Sequence, residues 1–340
     1  MRRVIVLSLV LLVLLLGNIA VFKASVLQPN QVSIGGWLPY WDQKDVMSSF
    51  KKNKSLLNEV SPYWYVAKPD GKVTRVTKLN IAVVAEAKAS GIKVMPMVSN
   101  GYNGAMISKI INNTKLRMAH IRELVNKVVK RKVDGIELDY EGLLPKDRKM
   151  YARFIKVLSE ALHRRGKLLS VTLQSKTKEP GTSQGSKAQD WREIGKYADR
   201  LRIMAYDFHW KTSGPGPIAP VWWVEQIAKL AKKTIPPNKA ILAFGTYGYN
   251  WYGNGRAKAI SLAEARALAK KYKTKIQRDP KSKELYLRIK PGKAQIWIQD
   301  SGSLRLKLRV LKKYGLGGTF LWRLGDEDPA TWQVLQQELR

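Results

Sequence analysis

The chain has 340 residues, 61 of them Lys or Arg and 26 Asp or Glu, for a formal net charge of +35. Its lack of cysteine excludes a disulfide scaffold, a thiolate metal site and a cysteine nucleophile, while 45% hydrophobic residues and 11 Trp exclude a disordered chain. So basic a surface attracts polyanions, but the basic runs KKNK (51–54), KVVKRK (127–132), HRRGK (163–167) and KKYKTK (270–275) are scattered as on outer helix faces. No zinc-finger or RNP-type spacing marks a specific nucleic-acid module.

At the N-terminus, Arg2 and Arg3 precede an apolar run from Val4 to Phe22. This pattern predicts a signal peptide within residues 1–25 or an uncleaved signal-anchor, since neither NIA (18–20) nor KAS (23–25) makes a good cleavage site. Either places the rest outside the cytoplasm, as a secreted, cell-wall associated or membrane-anchored protein held by residues 4–22.

From residue 33 onward, apolar runs alternate with amphipathic helical segments. The predicted strands are SIGGWLPYW (33–41), EVSPYWYV (59–66), IKVMPMVS (92–99), VDGIELDYE (133–141), LLSVTLQS (168–175), RLRIMAYDF (200–208), KAILAFGTYGY (239–249) and LGGTFLW (316–322). Eight strands alternating with helices predict an α/β fold, a (β/α)8 barrel over 33–340. No G-x-G-x-x-G turn opens a helix, which argues against an open doubly wound sheet. About 65 residues separate the last two strands. They hold a helical SLAEARALAKKY and the strand-like IQRDP, KELYLRIK and KAQIWIQD, which predict a small α+β insertion over 252–300.

The fourth strand is unusual in packing carboxylates into an apolar run. Residues two apart share a strand face, so Glu137, Asp139 and Glu141 point one way and Ile136, Leu138 and Tyr140 the other. In a barrel the acids face the interior, with Glu141 at the C-terminal mouth where active sites of this fold lie. Carboxylates stacked in a low-dielectric column must share protons, which raises the pKa of at least one and suits a general acid. Two alternatives remain open on the residues alone: an edge strand with a solvated acidic face, or a hard-metal site for magnesium or calcium. His120, His163 and His209 are dispersed and support no zinc or iron site. His209 near Asp207 is the only lead to Ser/His/Asp catalysis, and no G-x-S-x-G elbow accompanies it.

DGIELDYE (134–141) resembles the D-x-x-D-x-D-x-E signature of glycoside hydrolase family 18, the chitinases and related N-acetylglucosaminidases. MAYDF (204–208), GTYGYNW (245–251) and GGTFLWRLGDED (317–328) resemble its sixth, seventh and eighth strands, in the expected order. GGWLPYWD and EVSPYWY resemble a bacterial branch that includes spore-cortex-lytic glucosaminidases. The resemblance implies cleavage of β-1,4 bonds in N-acetylglucosamine-containing glycan with retention, the substrate's 2-acetamido oxygen being the nucleophile. It makes Glu141 the acid/base, Asp139 the residue that orients the acetamido group, Tyr206 and Asp207 contacts from across the site, and Trp322 the floor under the sugar. Glu137 stands where the family usually has Asp; it can still take a proton from Asp139 and keep the column coupled. Asp134, of opposite parity, stabilises the strand's start.

Trp37, Tyr40, Trp41, Tyr63, Trp64, Tyr247, Tyr249 and Trp251 cluster near strand ends, where they either stack on sugar or fill the core. Of these, Trp37, Tyr40, Trp64 and Tyr247 join Glu137, Asp207 and Trp322 as candidate substrate-binding residues. The expected protein is a monomer without metal or cofactor. Its substrate is peptidoglycan, with chitin or chito-oligosaccharide as the alternative and a catalytically silent, lectin-like barrel as the third reading. Anionic wall polymers are the expected partners of its basic surface.

Overall fold

The computed structural model describes residues 32–340 except 78–79, 253–256 and 290–293. All of these fall in one compact unit, Gln31–Arg340. The apolar segment 4–22, read above as signal peptide or anchor, lies outside the described residues, as do parts of the 252–300 region. Among the described residues no helix is long and apolar enough to cross a membrane.

Strands β1 (Ser33–Leu38) and β2 (Glu59–Ala67) begin the barrel, with β3 (Val73–Arg75) added antiparallel to β2. The third barrel strand is broken into β4 (Lys93–Val94) and β5 (Met97–Ser99). Pro96 sits in the gap, where a residue without an N–H leaves the ladder unfilled. Then come β6 (Gly135–Asp139), β7 (Leu168–Gln174), β8 (Arg200–Met204) and β9 (Ala240–Gly245). A second sheet follows, of β10 (Gly248–Tyr252), β11 (Ala257–Ile260), β12 (Gln277–Arg278), β13 (Leu285–Ile289) and β14 (Ala294–Ile298), before β15 (Gly318–Trp322) completes the barrel. β15 and β2 both pair with β1 in parallel, closing a ring of eight parallel strands.

Strands covered on both faces read as continuous apolar runs: every residue of SIGGWL and AILAFG is buried. The helices cover the outside. Arg148–His163 turns Tyr151, Phe154, Ile155, Leu158 and Leu162 inward, an i, i+3, i+4, i+7, i+11 stripe. Each such side chain contributes about 1.5–3 kcal/mol by leaving water.

Two boundaries differ from the sequence reading. The run 133–141 is a strand only over Gly135–Asp139, so Glu141 lies two residues past its end. KAILAFGTYGY is split, because Thr246 turns the chain at the rim. Its N–H donates to the Trp322 carbonyl at 2.8 Å and its hydroxyl to the Arg323 carbonyl at 3.0 Å. The second half, β10, pairs antiparallel with β11 and β14 instead.

The second sheet has its own small core, including Ile260, Leu262, Leu287, Ile296 and Ile298. It also braces the loop after β8. Buried Glu284 accepts from the Ile218 and Ala219 N–H groups at 2.7 and 3.0 Å and from Lys307 Nζ at 2.7 Å. Trp251 Nε1 donates to the Ser213 carbonyl at 3.0 Å.

Candidate active site

The barrel interior is polar where the acidic strand crosses it. Glu137, fully buried, accepts from Trp37 Nε1 at 2.9 Å, Thr172 Oγ1 at 2.7 Å, the Ser61 hydroxyl and the Arg202 guanidinium. Arg202 also donates to Glu59 at 3.1 Å, and Arg200 reaches the same carboxylate at 2.6 Å. The Arg202 guanidinium lies 3.7 Å from the Phe320 ring centroid. Burial alone would raise the pKa of Glu59, but the two arginines outweigh it and the net direction is downward. Glu137 has an arginine and three neutral donors and, among the described residues, no hydrogen bond to Asp139, so the expected coupling of the column reaches Asp139 through charge and not through a proton shared with Glu137.

Asp139 ends β6 one step above. Burial and the charges of Glu141 and Glu137 hold its carboxyl well above the ordinary range, and its Oδ1 is buried with no hydrogen-bond partner. Glu141 follows on the loop. A reciprocal pair with the buried Asn100 side chain fixes its backbone, N–H to Oδ1 at 3.0 Å and Nδ2 to the Glu141 carbonyl at 2.7 Å. Gly142 then turns at φ 64°, where a Cβ would stand 2.8 Å from the Tyr102 carbonyl oxygen. Burial is the main cause that lifts Glu141 to about 7; the Gln174 amide pulls it partly back and the Asp207 charge adds to the rise.

Asp139 and Glu141 open into a cleft of about 640 Å³ that is also lined by Tyr206, Asp207, Trp37 and Trp322. Asp207, at φ 58°, is raised to about 6 by burial, against the hydroxyls that the Tyr247 and Tyr249 side chains donate to it at 2.5 and 3.3 Å. Burial first, then Asp139 and Asp207, raise the Tyr206 phenol, so it remains a donor near neutrality. Trp322 stands edge to face with Trp37 at 5.6 Å and with Trp41 at 6.3 Å.

The structure thus gathers Glu141, Asp139, Tyr206, Asp207, Trp322 and Trp37 around one space. Trp37 is 1% exposed with its N–H committed to Glu137, so it braces the floor. Tyr247 acts through Asp207. Tyr40 is 41% exposed outside the cleft lining, packed on Trp41 and Tyr63. Trp64 is buried in the barrel wall against Tyr65, a correction to its expected place at the sugar. Alternation along β2 turns Glu59, Ser61 and Tyr63 to the interior, and Tyr63 is the residue beside Asp139, its phenol bonded to Ser99. Asp134 accepts from the Val94 N–H at 2.8 Å, tying the start of its strand to β4.

Sequence reasoning missed Gln174, Tyr102, Asn100, Trp210 and Lys211, which come from loops and strand ends outside the quoted motifs. Only the Gln at the end of LLSVTLQS carried a signal, as an inward polar residue in an apolar run. His209 Nδ1 is 2.9 Å from the Gly214 carbonyl, which leaves that nitrogen no part in a Ser/His/Asp array. Among the described residues no group of three or more His, Cys, Asp or Glu is arranged to hold a metal ion.

The sequence profile described as glycosyl hydrolases family 18 matches residues 32–328. A cortical fragment-lytic enzyme of Bacillus cereus is 28% identical over 327 residues, covering 93% of this chain and 74% of the relative. An uncharacterized glycosylase of Bacillus subtilis, YvbX, is 26% identical over 301 residues, 85% of this chain and 87% of its own. Among solved structures, a chitinase from Chromobacterium violaceum superposes with a TM-score of 0.85 at 25% identity, covering 91% of this chain and 99% of that one. The spore cortex-lytic enzyme SleL of Bacillus cereus gives 0.83 at 26% identity, 91% and 74% covered.

Proposed function

The chain belongs to glycosyl hydrolase family 18 and is a glycosidase, and from that premise we propose that it cleaves β-1,4 bonds in the N-acetylglucosamine-containing strands of peptidoglycan, with retention, through the substrate's own acetamido group. One observation carries this reading: a buried, unpartnered Asp139 Oδ1 lies next to a glutamic acid raised to about 7. An orphaned buried acceptor costs about 1–3 kcal/mol, and an acetamido N–H is the donor it lacks. Accepting that bond aims the acetamido oxygen at C1.

Glu141 then gives its proton to the glycosidic oxygen as the C1–O bond breaks and the acetamido oxygen bonds to C1. The cyclic cation so formed is stabilised by the carboxylates around it. Water attacks C1 from the face the leaving group vacated as the bond between C1 and the acetamido oxygen breaks and restores the acetamido group, and Glu141 takes the water's proton, regenerating the acid. The phenol of Tyr206 faces the same space and donates to the acetamido oxygen of the bound substrate, holding it in line with C1. Trp322 supplies an apolar surface for the sugar face.

Peptidoglycan is favoured over chitin by the similarity to cortical fragment-lytic enzymes along 93% of this chain and by the +35 charge, which suits an anionic wall. The structural likeness to a chitinase supports chitin as the second reading. Export through the segment Val4–Phe22 delivers the enzyme to a wall substrate. Mass spectrometry of digests from purified peptidoglycan and from chitin tests the choice: glucosaminidase-type fragments from peptidoglycan are expected, and products from chitin alone would overturn it. Glu141→Gln is expected to lower hydrolysis at least about a thousandfold while leaving glycan binding intact. Anomeric products followed by NMR should retain configuration; inversion would exclude the acetamido route.

A further inference from the structure

On the outer flank of the barrel, a recess of about 200 Å³ is lined by Tyr65, Arg75, Lys127, Lys130 and Arg131. The last three come from the final turns of the helix Thr114–Arg131. Arg75 comes from β3, paired in register with Tyr65 of β2. None of the five lines the catalytic cleft. Lys127 pairs with Glu123 at 2.8 Å; among the described residues the side chains of Arg75, Lys130 and Arg131 have no ion pair or hydrogen bond of their own.

Cations in a last helical turn complement the negative end of the helix. That accounts for Lys130 and Arg131, but not for Arg75, which a different element brings to the same space. Nor does it account for Tyr65. Its side chain is 1% exposed, its hydroxyl is buried with no partner, and Lys127 Nζ lies 6.0 Å from its ring centroid. A hydroxyl left so costs about 1–3 kcal/mol, and an oxyanion in the recess is the acceptor it lacks.

We propose that this recess binds a phosphoryl group, as one phosphodiester unit of a soluble anionic polymer. Donors converge from three elements, a geometry for a tetrahedral oxyanion more than for a planar carboxylate, and two of the four cations are arginines with forked donors. The recess is smaller than the sites that hold drug-sized ligands. Its lining has no aliphatic side chain to enter a bilayer. The site gives a chain of net charge +35 a specific grip on a polyanion, separate from the cleft.

Titration calorimetry of the full chain with inorganic phosphate, short poly(glycerol phosphate) and phosphatidylglycerol vesicles tests this. The variant Arg75→Ser/Lys130→Ser/Arg131→Ser is compared with Lys232→Ser/Lys233→Ser/Lys270→Ser, which removes equal charge elsewhere. The recess variant is expected to bind poly(glycerol phosphate) about tenfold more weakly, and the control less than about threefold. Tyr65→Phe should weaken phosphate binding severalfold without lowering the melting temperature. Equal losses in the two triple variants would overturn the site and leave diffuse charge as the cause. Inorganic phosphate binding as tightly as the polymer, or vesicle binding alone being lost, would overturn the polymer as occupant. Hydrolysis of a small soluble glycan is expected unchanged in all variants, so the outcome is independent of the glycosidase mechanism.

Discussion

Burial and two neighbours act on the Glu141 carboxyl with different signs. Burial and the Asp207 charge raise its pKa, the Gln174 amide lowers it, and it settles at about 7. Removing each polar neighbour therefore moves the titration in a known direction. Gln174→Ala takes away a group that stabilises the charged form, so the pKa rises and the alkaline limb of kcat/KM moves to higher pH. Asp207→Asn takes away a negative charge, so the pKa falls and the same limb moves to lower pH. Shifts of roughly half a unit to one unit are expected in a pH–rate profile, and movement of both limbs in one direction would contradict these assignments. Beneath Glu141, Arg202 neutralises two buried glutamates. Arg202→Met strands Glu137 without its cation, while Glu59 keeps Arg200, and should cost about 3–5 kcal/mol in urea denaturation. A loss under about 1 kcal/mol would show that the neutral donors to Glu137 suffice.

At the scale of elements, the barrel closes where β1 passes Phe320. A Cβ on Gly35 would stand 2.1 Å from the Phe320 ring and 2.7 Å from the Glu59 carbonyl oxygen. Both strands are packed on their other side, so neither can yield. Gly35→Ala should destabilise by about 3 kcal/mol in chemical denaturation, and an unchanged midpoint would mean that the ring swings away. The alternation that splits Ile136, Leu138 and Tyr140 from Glu137 and Asp139 was legible in the sequence because a strand's period is a local property. Three things were not. Which face of β2 looks inward is shown by the bonds of Glu59 to Arg202 and of Ser61 to Glu137, 143 and 76 positions away, so Trp64 was grouped with Tyr63 though it lies on the opposite face. KAILAFGTYGY looks like one strand because the turn at Thr246 is made by bonds to residues 76 and 77 positions away. Arg202 and Glu137 are 65 residues apart, so Glu137 could be seen as costly to bury without its arginine being visible.

For the molecule as a whole, the buried acids fall into two classes that act on opposite flanks of the stability profile. Glu59 titrates below its ordinary value of 4.5, so its ionised form favours the folded state. That contribution is present above the unfolded pKa and is lost as pH falls through the folded one. Protonating carboxylates on a chain already at +35 adds self-repulsion in the same range. Glu141 and Asp207 do the reverse, with folded values of about 7 and 6, and Asp139 is raised as well. Their protonated forms favour the fold, and that contribution is lost as pH rises through the folded values. For Glu141, a shift from 4.5 to about 7 corresponds to at most about 3 kcal/mol once it ionises. The two flanks together predict greatest stability at about pH 4.5–5, just above the unfolded carboxylate range, with a decline through pH 7. A melting-temperature series across pH 3–9 checks the profile, and Glu141→Gln should flatten its alkaline flank while leaving the acid flank in place. A melting temperature that climbs steadily to pH 8 in the unmodified protein would mean that the cleft acids ionise at no cost to the fold. The acid held ready for catalysis would then need a cause other than burial.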